Sequence, residues 1–503
     1  MNTITGQSTK YQQINKQRSH KMCIQVCFTV IISIVCCTAM MLAVSSYNQS
    51  QPIEITEHSD DFQTSMRYVQ ILHTSANVSS SSSHADTLQQ WSRRESRYSN
   101  EFMLEKRVSE AYHSSMNAEL SNESTISDQS TPSSNNDRKL VCYYTIPESN
   151  LKKSINLQLD KIDAFLCTHI NIGVAVIENS KIVITDELKV AFEQMTVLKQ
   201  LNNSLKVLIW IGGPTESISF FEMIRTHENR KEFIKSIKLA LEKYHLDGVD
   251  IDWEFPITYD KSRIYLTKLL HEIRKEYERE RRNYLLSVAV AAPEGIAYFA
   301  YDVEALNQFC DYINIMTYDY HFYSKSTPFT GLNAPLYSRK NENSLLSTLN
   351  INASVSFWHE KGLDKQKIIV GLPTYGHSFR LINPFNNKLG SPASGFGRTG
   401  EFGFVTYPEV CLFERHNIFV TKVFDADTCS PYIFAGDEWI SYEDDNSIKC
   451  KTEYVIKGDF GGVMIFSLNT DDFSSYCYYG SQKYKKPKNF PLTRLVNELL
   501  IWN

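Results

Sequence analysis

The stretch Asp247-Gly248-Val249-Asp250-Ile251-Asp252-Trp253-Glu254-Phe255-Pro256 decides how the rest of the chain is read. Asp250, Asp252 and Glu254 fall at every second position, and Val249, Ile251 and Trp253 fill the gaps. Side chains alternate across a strand, so an extended backbone here puts the three carboxyls on one face and the apolar residues on the other. A solvated edge strand shows the same alternation. The segment before it argues against an edge: Ile234, Ile237, Leu241 and Tyr244 lie on one helical stripe, and a helix feeding a strand with a full apolar face belongs to a covered parallel sheet.

Three carboxyls gathered at the end of a covered strand repel one another, and burial disfavours their charged forms. That is a poor way to stabilise a strand. It suits a site that needs a protonated acid beside an ionised partner. A hard-cation site is the other chemistry that clusters carboxylates, but no Asn or further Asp stands nearby to complete an oxygen shell.

The chain of 503 residues has room for more than one domain, and its 42% hydrophobic content supplies a large core. A net charge of -5 gives no reason to expect a nucleic-acid partner. Residues 1–21 carry Lys10, Lys16, Arg18 and Lys21 without an acidic residue, and read as a cytoplasmic tail. Met22–Val44 is uncharged and nearly all apolar, long enough to span a bilayer. With the positive flank on its N-terminal side it is expected to act as a type II anchor, the remainder lying outside the cell or in a lumen. A signal peptide cleaved after Ala43 is the competing reading. Residues 45–138 are polar and Ser-rich without a persistent apolar period, as in a flexible stalk. Asn48, Asn77, Asn122, Asn202 and Asn352 each open an Asn-x-Ser glycosylation sequon.

From Lys139 onward, apolar runs recur with helical stretches between them: Leu140–Ile146, His169–Val176, Val207–Ile211, Val249–Glu254, Leu285–Ala292, Tyr312–Tyr318, Ile368–Thr374 and Gly462–Leu468. Eight strands alternating with helices over residues 139–503 predict an α/β fold, a (β/α)8 barrel. The long interval at about 375–457 is expected to hold a small α+β insertion, and Pro491–Trp502 a closing helix.

Asp247-x-x-Asp250-x-Asp252-x-Glu254 resembles the signature of glycoside hydrolase family 18, the chitinases and chitinase-like lectins. Leu140–Tyr144, Met316–Asp319, Gly371–Gly376 and Gly461–Met464 extend the resemblance over most of the chain beyond residue 140. It implies that chitin or a chitooligosaccharide is the partner, with Asp250, Asp252, Glu254 and Tyr318 catalytic. Glu254 would be the general acid, Asp252 would hold the substrate's acetamido N–H with Asp250 tuning its charge, and Tyr318 would donate to the acetamido carbonyl. Tyr144, Met316, Asp319, Tyr375 and Phe466 would line the sugar site, and no metal or organic cofactor is required. The resemblance further implies disulfides Cys142–Cys167 and Cys411–Cys477; the place of Cys429 and Cys450 inside the insertion allows a third bridge between them, which leaves Cys310 free. Such bridges require an oxidising compartment.

Several positions depart from the family's sugar-stacking tryptophans. Pro147, Pro214 and the run Phe322-Tyr323-Ser324 stand where the family carries Trp, Phe466 replaces the Trp under the sugar, and His377 replaces an Arg. A membrane-tethered hydrolase of β-linked N-acetylglucosamine is therefore weighed against a chitinase-like binding protein that keeps the acidic motif, and against a structural glycoprotein that would leave the carboxyls unexplained.

Overall fold

The structure, a computed structural model, describes residues 138–146, 156–257, 261–340, 342, 344–478 and 488–502. The Met22–Val44 segment, the stalk, Pro147 and the sequons at Asn48, Asn77 and Asn122 lie outside the described residues.

The chain enters on β1 (Lys139–Thr145) and β2 (His169–Glu178), turns back through the short β3 (Lys181–Val183), and continues with β4 (Lys206–Gly213), β5 (Gly248–Trp253), β6 (Leu285–Ala291), β7 (Tyr312–Met316) and β8 (Ile368–Pro373). It then leaves the barrel for β9 (Tyr375–Leu381), β10 (Ala393–Phe396), β11 (Phe404–Thr406), β12 (Thr421–Asp425), β13 (Ser430–Ala435) and β14 (Glu438–Ser441), and returns on β15 (Gly462–Phe466). The parallel order β1-β15-β8-β7-β6-β5-β4-β2 closes because β2 also pairs with β1. This is the expected eight-stranded barrel, with the acidic motif on its fourth strand, β5.

Helices fill the connections where the sequence both caps and patterns them. Thr185 accepts from the Leu188 N–H and Thr226 from the Asn229 N–H, each satisfying a donor that the first helical turn leaves free. In the helix His227–Lys243 the residues Ile234, Ile237 and Leu241 are buried, as the stripe predicts. Every residue of β5 is buried, which places it in a covered sheet and not at an edge.

The insertion is an antiparallel sheet ordered β10-β9-β14-β13-β12, with β11 on β9. Its core is Leu332, Phe379, Leu381, Ala393, Tyr432 and Trp439. The helix Asp445–Lys457, inside the predicted insertion limits, instead packs on β15 and on the closing helix Pro491–Leu500, so it belongs to the barrel's outer ring. The bridges Cys142–Cys167, Cys411–Cys477 and Cys429–Cys450 are all formed, and Cys310 is buried without one.

Candidate active site

Alternation along β5 turns Asp250 and Asp252 into the barrel, both buried, and Glu254 follows at the strand's C-terminal end with part of its surface open. Asp247, the first acid of the signature, does different work at the other end. It accepts from Lys199 Nζ at 2.7 Å and from the Val207 N–H at 2.8 Å, tying β5 to β4.

Asp250 is fully satisfied by neutral donors. Tyr143 donates to Oδ2 at 2.6 Å, while Ser287 at 2.6 Å and Asn314 at 3.0 Å donate to Oδ1. Burial raises its pKa and these bonds oppose the rise. Asp252 has one donor, Trp210 Nε1, at 2.9 Å from Oδ2. Its Oδ1 is buried with no partner among the described residues. Burial first, then the charge of Asp250, pushes Asp252 up to about 7. Glu254 is raised well above the ordinary carboxyl value by burial, then by Asp252 and Asp319. An acid whose charged form is disfavoured, two residues from a second carboxyl held by an indole N–H, is the kind of pairing that acid catalysis uses.

Phe466, the last residue of β15, closes the floor. Its ring lies 5.5 Å from those of Tyr143 and Tyr318, 5.9 Å from Trp210 and 6.3 Å from Tyr375. Tyr318 is buried, with its hydroxyl 3.8 Å from Met464 Sδ, a weak acceptor that a carbonyl oxygen would displace. At the mouth, Asp319 Oδ1 accepts from the Tyr375 hydroxyl at 2.8 Å and lies 2.7 Å from His377 Nε2, so His377 meets the carboxylate where the family's Arg is expected. Met316 ends β7 half-buried.

One expected site residue is not brought here. Tyr144 faces out of the barrel and donates to the Leu157 carbonyl at 2.9 Å; its neighbour Tyr143 is the tyrosine that points inward. Both remaining sequons are engaged in packing: Asn202 Nδ2 donates to the Ala164 carbonyl at 2.9 Å, and Asn352 Oδ1 accepts from Tyr454 at 3.2 Å.

Sequence reasoning missed Tyr143, Trp210, Ser287 and Asn314. The signal for Ser287 and Asn314 is a lone polar residue in a run of otherwise apolar residues on a covered strand, Leu285-Leu286-Ser287-Val288 and Tyr312-Ile313-Asn314-Ile315. An interior polar side chain on such a strand needs an interior partner.

A closed barrel with its carboxyls at the C-terminal end of the fourth strand places them where enzymes of this fold carry their chemistry. The chain belongs to the family described as glycosyl hydrolases family 18, whose match covers residues 139–471. It is 35% identical to mouse chitotriosidase-1 over 382 residues, covering 72% of this chain and 78% of that protein. Among solved structures it resembles human YKL-39, described as a pseudo-chitinase with retained chitooligosaccharide binding, at 31% identity and TM-score 0.67 over 72% of this chain and 99% of that one. It also resembles the Ostrinia furnacalis group IV chitinase in complex with allosamidin, at 33% identity and TM-score 0.66 over 72% of this chain and 98% of that one.

Proposed function

We propose that this chain is a chitinase-type hydrolase that cleaves β-1,4-linked N-acetylglucosamine oligomers with retention, the substrate's own 2-acetamido group acting as nucleophile. The observation that carries this reading is the placement of Glu254, partly open at the C-terminal end of β5 beside the buried Asp252 and Asp250, where burial and the neighbouring carboxyls raise its pKa. Glu254 gives its proton to the glycosidic oxygen as the acetamido carbonyl oxygen attacks the anomeric carbon and the leaving sugar departs. The unpartnered Oδ1 of Asp252 accepts the acetamido N–H and offsets the oxazolinium charge, while Tyr318 turns from Met464 to the acetamido carbonyl. Water then opens the intermediate, returning a proton to Glu254.

A second reading is a binding protein. It is favoured by Phe466 and Pro214, where stacking tryptophans are expected, and by the likeness to a pseudo-chitinase. Ring contacts are worth on the order of 1 kcal/mol each, so several losses weaken the grip on a polymer. Release of fluorophore from a chitobiose or chitotriose glycoside by the full-length chain separates the two. Turnover that disappears in Glu254→Gln supports the hydrolase. Binding of chitotriose with no turnover at acid or neutral pH leaves the binding protein.

We also propose that Met22–Val44 anchors the protein as a type II membrane protein. The uncharged span with its basic flank supports this, and the three disulfides agree with an oxidising compartment on the far side. In microsomes Asn77 and Asn122 should gain glycans with the N-terminus left open to protease; a soluble product shortened near residue 44 would speak for a cleaved signal peptide.

A further inference from the structure

Trp210 is a large residue where the barrel has to make room for it. It faces inward from β4, in register with Asp250 of β5. The room comes from Gly173 on β2: a Cβ there would lie 2.7 Å from the Trp210 carbonyl oxygen, 3.0 Å from its Cβ and 3.1 Å from Cε3. Tyr143 meets the indole edge-on at 5.0 Å, and Phe466 at 5.9 Å and 84°. The ring is only 5% exposed, so it offers no face on which a sugar could stack. What it does offer is its single donor, Nε1–H, aimed at Asp252 Oδ2 at 2.9 Å.

The two oxygens of Asp252 are therefore unequal. Oδ2 is held; Oδ1 is buried and lacks a partner among the described residues. A buried acceptor left unpaired costs free energy until something donates to it. The terminal torsion of an aspartate is broad, so packing alone would fix the carboxylate plane weakly.

We propose that Trp210 is a positioning residue: its indole N–H holds Asp252 Oδ2, so that Oδ1 is the oxygen presented to the amide N–H of an N-acetylated sugar. This rests on the hydrolytic reading above and goes further, by assigning the orientation of Asp252 to a side chain outside the acidic motif. Phe466 and Trp210 form one unit in this scheme. The indole meets the Phe466 ring edge-on at 5.9 Å, so the two side chains share the barrel floor.

The test is Trp210→Phe in the full-length chain, which keeps an aromatic ring and deletes the donor. Hydrogen bonds to a charged group favour its charged form, so losing this one moves the ascending, acid limb of the kcat profile up by about one pH unit. Below that limb kcat falls about tenfold, while KM for chitotriose changes less than about threefold. A Trp with only a packing role would lower stability and leave the limb where it is; an unmoved limb overturns the proposal. Infrared titration of chain labelled with 13C-aspartate gives a readout independent of turnover. The carboxylate band that is absent in Asp252→Asn should titrate at higher pH in Trp210→Phe, and an unchanged midpoint refutes the claim even if the wild type hydrolyses nothing, a result that would end the hydrolytic reading by itself. If Trp210→Phe fails to fold, the wild type still decides. One of its six indole N–H resonances should titrate together with that carboxylate and lose the titration in Asp252→Asn, and no such resonance means no such bond.

Discussion

Two of the places where the described residues bury carboxylates handle the charge in opposite ways. Between the insertion sheet and the barrel, Glu443 receives Lys451 Nζ on both oxygens at 2.6 Å, with the two side chains 1% and 0% exposed. On β5, Asp250 and Asp252 are equally buried, yet no lysine or arginine among the described residues pairs with them or with Glu254; only hydroxyl, amide and indole donors reach the two aspartates. Removing a charge from water costs several kcal/mol, which a close counter-charge largely offsets. The compensated pair is compatible with a purely structural role. The cluster on β5 leaves that cost unrelieved, and burial raises Glu254 well above the ordinary carboxyl value and lifts Asp252 to about 7.

The largest effect that sharpens this contrast is on turnover. Glu254→Gln keeps the shape of the acid and removes its transferable proton, so kcat should fall by about 100-fold to 10,000-fold, the usual worth of a positioned general acid. The Kd for chitotriose, read by calorimetry, should stay within about threefold. Equal residual turnover in wild type and variant would move the chemistry away from Glu254.

Next comes the structural pair. Lys451→Met leaves Glu443 buried and alone, and should cost about 3–5 kcal/mol in chemical denaturation. Glu443→Leu combined with Lys451→Met should recover most of that loss, since a well-packed apolar pair replaces a buried ion pair at little or no cost. If the single variant costs less than about 1 kcal/mol, the pair is not compensating a buried charge.

How legible these two places were in the sequence differs for the same physical reason. The β5 cluster is local: three carboxyls at alternate positions, and strand geometry alone puts them together. The barrel was legible too, because its strands are short apolar runs separated by helical stripes. Lys451 and Glu443 are eight residues apart across a helix start, and nothing in their spacing marks either as buried. Tyr144 and Tyr143 show the limit of reading a single strand. The sequence indicates that they point opposite ways, but which of them faces inward depends on the pairing of β1 with β15 and β2. Trp210 was invisible for the same reason, since its role comes from register with β5 and from the space that Gly173 leaves on another strand.

The contrast also has a pH signature. The folded-state pKa of Asp252, about 7, lies above the ordinary carboxyl value of 3.8 that it regains on unfolding. Between those values Asp252 binds more protons in the folded chain than in the unfolded one, so its contribution makes stability fall as pH rises from about 4 to 7 and levels off beyond. Asp252→Asn removes this residue's share of the slope and leaves that of Glu254. The variant should match the wild type near pH 4 and be more stable at pH 7.5, by up to a few kcal/mol, while its kcat falls. Denaturation midpoints of both proteins at the two pH values check this, and a stability difference between variant and wild type that is the same at both would mean that Asp252 ionises normally.

The smallest expected effect concerns the floor. Restoring a tryptophan by Phe466→Trp would improve sugar stacking if the floor were open, but Phe466 already has the rings of Tyr143, Trp210, Tyr318 and Tyr375 within 6.3 Å. Enlarging one ring in a filled cluster costs about 1–3 kcal/mol through displaced neighbours. The neighbour with the least freedom is Trp210, packed on Gly173 so closely that a Cβ there would clash with it, and bonded to Asp252. Phe466→Trp alone should therefore destabilise the fold and leave chitotriose binding no tighter. Paired with Trp210→Ser, which vacates the indole's volume, the same substitution should recover part of the lost stability and tighten binding by up to about tenfold, one ring contact. Calorimetry on the single and double variants measures the coupling directly. Additive effects would show that residues 210 and 466 are not sharing one volume, and the floor would then have room that the ring contacts do not suggest.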